Sequence, residues 1–256
     1  MSVIETDKWL LESYNRPIEI CEKLRLFFDG VYASEIYDYL LLHGMYDPLT
    51  NGKDQITKLQ RKQVWEIVQH EVQILQKLWK GPDIPIFIFP SDTRNEIMKK
   101  EFNGKAGLSF KDKIFLFISE ENHEAEIRSL LTHEYNHVCR LTYYSKVEDD
   151  YTLLDTIILE GLAENAVRER IGEKFMSSWT SYYTDKELQI MWEKFMAPNR
   201  TILKTDPKHH EILYGSALYP KMAGYSVGYF LVKKYMAIHH LTSKDVLSTE
   251  PAQFSL

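Results

Sequence analysis

The first third of the chain places apolar side chains at the spacing of α-helices. From Pro17 to about His43, apolar residues recur at steps of three and four, with the proline at a first-turn position, which predicts one long amphipathic helix. A second pattern of this kind runs from about Ile56 to Lys80 and is stopped by Gly81-Pro82. A turn-rich stretch, 47–54, separates the two. Residues 1–82 are therefore predicted to form a helical N-terminal region.

The period changes in the middle of the chain. The runs IPIFIFP at 84–90 and KIFLFIS at 113–119 are short and rich in β-branched and aromatic residues, which is typical of strands. Helical patterning then returns in four segments, at about 123–144, 151–171, 175–196 and 223–240. We therefore predict an α+β fold in which a small sheet precedes a mostly helical C-terminal half.

Composition excludes several classes of protein. The 256 residues are 44% hydrophobic and 27% charged, which is typical of a globular chain with a sizeable core. The formal net charge of −6 argues against a nucleic-acid partner, because such proteins need a basic face. We find neither a secretory apolar segment nor the run of about 18 apolar residues that a membrane span needs. The two distant cysteines, Cys21 and Cys139, predict no disulfide and favour a cytoplasmic location.

The segment HEYNH at 133–137 carries the clearest chemistry. His133 and His137 lie one helical turn apart, so their imidazoles can share one metal ion. Glu134 lies at the centre of an apolar stripe formed by Ile127, Leu130, Leu131, Val138 and Leu141. A metal-bound water would give this carboxylate a partner. The alternative is a helix with two core histidines and a snorkelling glutamate, which leaves a buried carboxylate unpaired at a cost of several kcal/mol.

A catalytic zinc site needs a third protein ligand and one open position. The metzincin motif is excluded, since Arg140 and Tyr143 stand where it requires glycine and histidine. The next predicted helix, LLDTIILEGLAEN, is apolar on most faces but carries Glu160 and Glu164 four residues apart. We predict Glu160 as the third ligand and Glu164 as the acceptor of a second N–H from a ligating histidine. Asp155 remains the alternative ligand, although its place near the helix start is more typical of capping.

These two motifs resemble those of a known family. HEYNHVCRL followed by LLDTIILEGLAEN is similar to the DUF2268 family of predicted zinc-dependent proteases, and more broadly to the gluzincin clan, which pairs HExxH with a downstream ExxxD or ExxxE. The resemblance extends from GLSFKDKIFLFIS to AGYSVGYFLV, about half of the chain. The family usually has HEYHH, so Asn136 departs from it at a position outside the ligand set.

The resemblance implies a zincin-like metallopeptidase core over 83–256. In that core an edge strand lies above the HExxH helix and can bind an extended peptide by strand addition. Either IFLFIS or GLSF would supply the edge. The resemblance also implies a tyrosine or histidine that stabilises the oxyanion. The candidates are Tyr214, Tyr219, Tyr225, His209 and His210. We favour Tyr225, which opens a helix after small residues and matches the family's C-terminal signature. Adjacent loop histidines are more typically solvated.

The sequence thus predicts a zinc-dependent peptidase acting on a peptide or protein substrate. His133, His137 and Glu160 would hold Zn²⁺, with Glu134 as general base and Tyr225 as oxyanion donor. The alternative function is a non-catalytic zincin-fold protein that holds a peptide or partner chain. Hydrolysis of a non-peptide amide would use the same groups.

Overall fold

The computed structural model describes residues 2–48 and 52–255 and has the α+β fold that the sequence predicts. Over those residues there are three strands, β1 (Ile86–Pro90), β2 (Ala106–Ser109) and β3 (Ile114–Ile118). The α-helices over the same residues are α1 (Thr6–Ser13), α2 (Pro17–Leu24), α3 (Ala33–Leu42), α4 (Gly52–Arg61), α5 (Val64–Trp79), α6 (Glu96–Phe102), α7 (Glu124–Tyr143), α8 (Leu153–Arg170), α9 (Asp185–Met191), α10 (Pro207–Tyr214) and α11 (Ala223–His239). None of these helices has the length and apolar character that crossing a membrane requires.

The prediction of one long helix from Pro17 to His43 is wrong. The chain instead forms α2 and α3, which are separated by a single 3₁₀ turn and by Asp29 and Gly30 at φ +49° and +79°. Glycine adopts this left-handed conformation without steric cost, so the chain can turn while the apolar period continues. The second predicted helix is likewise divided into α4 and α5, at Gln63 with φ +55°. Residues 49–51 of the predicted turn lie outside the described residues.

The sheet is mixed and has the strand order β1-β3-β2. β3 pairs in parallel with β1 and antiparallel with β2, and every residue of β1 and β3 is buried. The outer edge of β1 is covered by the N-terminal segment, because Ile4 N donates to Ile86 O and Ile86 N donates to Ser2 O. β2 is the other edge. Of the two candidate edge segments, GLSF therefore forms the edge and IFLFIS the centre.

The chain divides into two compact units, Met1–Val138 and Cys139–Leu256. In the first unit, aromatic side chains of the sheet fill the core, and the rings of Phe87 and Phe115 stack with their centroids 4.9 Å apart. The organisation that the sequence predicts, with regions 1–82 and 83–256 in one compact unit, stays a prediction.

The second unit is built on close contact between α8 and α11. A Cβ on Gly161 would lie 2.3 Å from the carbonyl oxygen of Gly228, and a Cβ on Gly228 would lie 1.8 Å from that of Ile157. Both glycines are needed because the helix backbones touch at this crossing. Around it lies an apolar core that includes Ile158, Leu162, Val227 and Leu231.

The C-terminal half contains a helix that the sequence pattern missed. Residues 207–214, which include the predicted loop histidines His209 and His210, form α10. Asp206 is its N-cap, with a side chain that accepts a hydrogen bond from Lys208 N, and Pro207 occupies the first turn. An aspartate followed by proline is a helix-start signal that outweighs the polar composition here. The helix predicted over 175–196 is shorter than expected, since only α9 and a π-turn at Trp192–Met196 follow a 3₁₀ turn.

The α8–α11 contact gives a stability prediction. We expect Gly161→Ala and Gly228→Ala each to lower the free energy of unfolding by about 2 kcal/mol or more, because the added methyl group must push two backbones apart. Urea unfolding followed by circular dichroism measures this. Ala237→Ser on the exposed face of α11 is the control, with an expected change within about 0.5 kcal/mol. Glycine variants as stable as this control would contradict the described crossing.

Candidate metal centre

The HExxH segment lies in the middle of α7, and its two histidines point their rings toward each other. The Nε2 atoms of His133 and His137 are 2.9 Å apart, and the ring planes are nearly perpendicular, at 88°. His137 is buried and His133 is partly buried. Two Nε2 ligands of a tetrahedral zinc ion lie about 3.3 Å apart, given Zn–N bonds of about 2.05 Å. The two nitrogens therefore converge at close to the spacing that a shared ion requires.

Glu134 is 6% exposed and lies against strand β2. Its Oε2 accepts a hydrogen bond from Ser109 Oγ at 2.5 Å, and its main-chain oxygen lies 3.0 Å from the same hydroxyl. The carboxylate occupies the space above Gly107, where a Cβ would lie 2.3 Å from Glu134 Cδ. The sequence predicts a role for Glu134 but none toward it for these two β2 residues. Their spacing, two residues apart in a short strand, was the available signal.

Glu160, in the middle of α8, completes a group of three possible metal ligands. His133, His137 and Glu160 each offer one ligand atom, and these atoms all lie within 4.8 Å of one another. Within the described residues this is the group of histidine, cysteine, aspartate or glutamate side chains that could hold a metal ion. Two imidazoles and one carboxylate form a donor set typical of catalytic zinc, with a fourth position left for water or substrate. The residues present therefore fit zinc.

Asp155, the alternative third ligand, is the N3 residue of α8. Its Oδ2 accepts from Thr152 N at 2.8 Å and from Thr152 Oγ1 at 2.6 Å, while Thr152 Oγ1 accepts from Asp155 N, which forms a capping box. Lys146 Nζ lies 2.6 Å from the same oxygen. These bonds satisfy the carboxylate at the helix start, where the sequence analysis considered capping the more typical role.

Glu164 is 2% exposed and is bonded within the second unit. Its two carboxylate oxygens accept from Ser177 N at 3.0 Å and from Ser177 Oγ at 2.8 Å. Glu164 thus fixes the start of the 3₁₀ turn that follows Ser177. Its action on a ligating histidine stays a prediction.

Two of the candidate oxyanion donors lie together. The hydroxyl of Tyr225 donates to that of Tyr214 at 3.1 Å, and their ring centroids are 5.3 Å apart. Desolvation of its hydroxyl raises the pKa of Tyr214, although the residue as a whole is 41% exposed. The bond from Tyr225 lowers this pKa, and the negative charge of Glu160 raises it further. Within the second unit, Tyr214 is therefore within electrostatic reach of Glu160. Tyr219 instead packs its ring against Phe195.

The histidines of α10 differ from expectation. His209 is 3% exposed, not solvated, and its Nε2 lies 3.0 Å from Thr156 Oγ1. Burial is the largest cause that lowers the pKa of His209, and the nearby charge of Lys204 acts in the same direction. His209 is therefore a neutral core histidine at physiological pH. His210 stacks on the ring of Tyr214, with centroids 4.5 Å apart.

Comparisons with known proteins place the chain in a family. Residues 64–255 match the family described as "Predicted Zn-dependent protease (DUF2268)". Protein YjaZ of Bacillus subtilis (strain 168) is 40% identical over 257 residues, which cover 99% of this chain and 98% of YjaZ. The chain is a member of the DUF2268 family. Protein YjfC of the same organism is 24% identical over 172 residues, or 64% of this chain and 57% of YjfC. No solved structure matches significantly.

Membership confirms the resemblance that the sequence motifs carry. The DUF2268 match is longer than those motifs suggested, since it begins at Val64, the first residue of α5, and ends at Ser255. It therefore includes the whole sheet and every residue of the candidate metal centre. The names of both relatives state no activity.

The three acidic residues of α8 can be distinguished by how firmly their variants retain zinc. We expect Glu160→Ala to lose zinc under mild chelation, because two histidines and solvent remain, and Glu164→Ala to bind zinc about 10–100-fold more weakly. Asp155→Ala should retain zinc and unfold at a lower temperature, since it loses the capping box. Zinc content and competition titration with a chelator measure these effects. Metal loss in Asp155→Ala with retention in Glu160→Ala would overturn the ligand assignment.

Proposed function

We propose that this DUF2268 protein is a zinc-dependent peptidase in which His133, His137 and Glu160 hold the ion and Glu134 is the general base. The observation that carries the proposal is the convergence of two histidine Nε2 atoms, 2.9 Å apart, on the helix that also carries the buried Glu134. The third ligand atom, on Glu160, lies within 4.8 Å of them. The family description supports the same chemistry.

Zinc, when bound, supplies a Lewis acid that acidifies water and polarises the scissile carbonyl. The chain's own groups then move the proton. Glu134 accepts it from the attacking water and delivers it to the amine that leaves, as a general base that becomes a general acid. Burial at 6% exposure keeps bulk water from competing for this carboxylate.

Tyr225 is proposed as the donor that stabilises the developing oxyanion. A phenol donates one hydrogen bond, and in the described arrangement Tyr225 gives its hydrogen to Tyr214. Substrate binding would therefore need the hydroxyl of Tyr225 to turn from Tyr214 to the substrate oxygen. Tyr214 holds the Tyr225 hydroxyl in place until then. Glu164 is proposed to accept an N–H from a ligating histidine, which would fix the orientation of that ring.

The outer edge of β2 is proposed to bind the substrate backbone. Phe110 N donates to Lys113 O at 2.9 Å, so the antiparallel ladder turns the peptide groups of Leu108 toward β3. The peptide groups of Gly107 and Ser109 therefore face away from β3. An extended peptide can pair with them by strand addition, directly beside Glu134. This favours a peptide or protein substrate over a small amide.

A non-catalytic protein that holds a partner chain is the alternative function. It would use the same strand edge but would have no need for a buried glutamate beside the two histidines, because structural zinc sites are closed by four protein ligands. The position of Glu134 favours hydrolysis.

A cytoplasmic location completes the proposal. Cys21 is a free, buried thiol, and Cys139 is also buried. Burial raises the pKa of Cys21 to about 12, which keeps this thiol protonated and unreactive. Free thiols are typical of a reducing compartment.

Removal of the general base tests the proposed reaction. We expect Glu134→Gln to retain zinc and fold but to hydrolyse a casein-type or peptide-library substrate at least about 100-fold more slowly, the low end for a positioned base. Glu124→Gln, an exposed change in the first turn of α7, is the matched control and should keep the parent rate. A Glu134→Gln variant as fast as the parent would refute the mechanism. A zinc-loaded parent that cleaves nothing would favour the binding function.

The tyrosine pair gives a comparative test. We expect Tyr225→Phe to lower kcat by roughly 10²-fold with zinc content unchanged, because the oxyanion loses its donor. Tyr214→Phe should have a smaller effect, since it removes only the acceptor that orients Tyr225, and Tyr219→Phe should have little effect. Steady-state kinetics and metal analysis of the three variants provide the measurements. Equal small effects at all three positions would indicate that Tyr225 only packs against its neighbours.

A further inference from the structure

Strand β2 contacts the proposed general base through two residues for which the sequence predicts no role toward Glu134. Gly107 and Ser109 are two positions apart in the strand, so both face the same side of the sheet, toward Glu134. Each makes a different kind of contact with the carboxylate. Gly107 leaves space for it, and Ser109 donates a hydrogen bond to it.

Gly107 is required for space rather than for backbone conformation. Its φ lies outside the left-handed region that favours glycine. A Cβ at this position would lie 2.3 Å from Cδ and 2.3 Å from Oε1 of Glu134, and 2.4 Å from Cγ. Carbon atoms in proteins do not approach so closely, so any side chain at 107 would displace the carboxylate from the strand.

Ser109 ties the same glutamate to the strand by its hydroxyl. Oγ lies 2.5 Å from Oε2 and 3.0 Å from the main-chain oxygen of Glu134. The shorter distance is typical of a charge-assisted O–H···O⁻ bond. Because the carboxylate is only 6% exposed, this donor replaces part of the hydration that the charge loses on burial.

We infer that Ser109 is a positioning residue for Glu134, and that with Gly107 it holds the carboxylate against the strand edge where substrate is proposed to bind. The base is thus fixed to the same strand that would align the scissile bond, so one element positions both the base and the substrate. The catalytic part of this inference rests on the proposed function.

The contact itself can be tested without metal or substrate. We expect Ser109→Ala to lower the folding equilibrium constant of the metal-free, full-length protein about tenfold, as loss of a bond to a charged group does. In a Glu134→Ala background the same change should cost less than about threefold, because the charged acceptor is gone and only the main-chain oxygen of residue 134 remains for the hydroxyl. Urea denaturation of the four proteins gives this double-mutant cycle. Ser119→Ala, whose hydroxyl accepts from Glu121 N, is the control and should cost the same in both backgrounds.

The positioning role is tested by kinetics of the zinc-loaded protein. We expect Ser109→Ala to lower kcat about tenfold with KM little changed, and Ser109→Thr, which keeps the hydroxyl on a strand-favouring residue, to restore most of kcat. Gly107→Ala should lower kcat more than Ser109→Ala, because it displaces the carboxylate. Ser119→Ala should leave both constants unchanged.

The outcomes separate this inference from the proposed function. Equal costs of Ser109→Ala in both backgrounds would overturn the inference whatever the activity. If the stability cycle shows coupling between Ser109 and Glu134 but Ser109→Ala keeps the kcat of an active parent, the inference is also overturned. Ser109 would then only join helix and strand. A parent without peptidase activity, despite bound zinc and intact coupling, would refute the proposed function and the catalytic role of Ser109, and leave only the contact.

Discussion

The burial of one carboxylate constrains the first unit. Glu134 lies on the apolar face of α7, where a charge needs a donor and room, and β2 supplies both through Ser109 and Gly107. As a consequence, β2 is short and carries no bulky side chain on the face toward Glu134. A glutamate in a dry site can act as a base only toward a group within its reach. In the proposed peptidase, that is the water acidified by the ion.

In the second unit, too, glycines provide space at a crowded position. Glu160 lies on α8, and α8 packs so closely on α11 that glycines replace side chains at the crossing. Gly161 follows Glu160 directly, so the backbone next to the proposed ligand is fixed by contact with a second helix. Such close-packed backbones leave a side chain few alternative positions, and rigid support is what a metal ligand needs.

The sequence predicted those features that depend on periodicity or on a local motif. The helices α7 and α8, the strands β1 and β3, and the one-turn separation of His133 and His137 follow from helical and strand spacing. Glu160 rested on the family resemblance as well, and its role as a ligand stays a prediction. Features set by the tertiary structure escaped prediction. The turn at Asp29-Gly30 interrupts an unbroken apolar period, and the burial of His209 depends on the helix that Asp206 and Pro207 begin. Ser109 lies 25 residues before Glu134, and only the folded chain brings the two together.

The N-terminal segment has a consequence for how the protein can associate. Within the described residues, Ser2 and Ile4 pair with Ile86 at the outer edge of β1, whereas β2 has no further strand beside it. An edge that accepts a foreign strand also accepts a strand from a second copy or from an unfolded chain. Self-association through β2 would therefore occupy the backbone groups that are proposed to bind the substrate. If β2 binds substrate as proposed, strand pairing between copies and substrate binding would be mutually exclusive. A peptide bound at β2 would then protect the protein from aggregation.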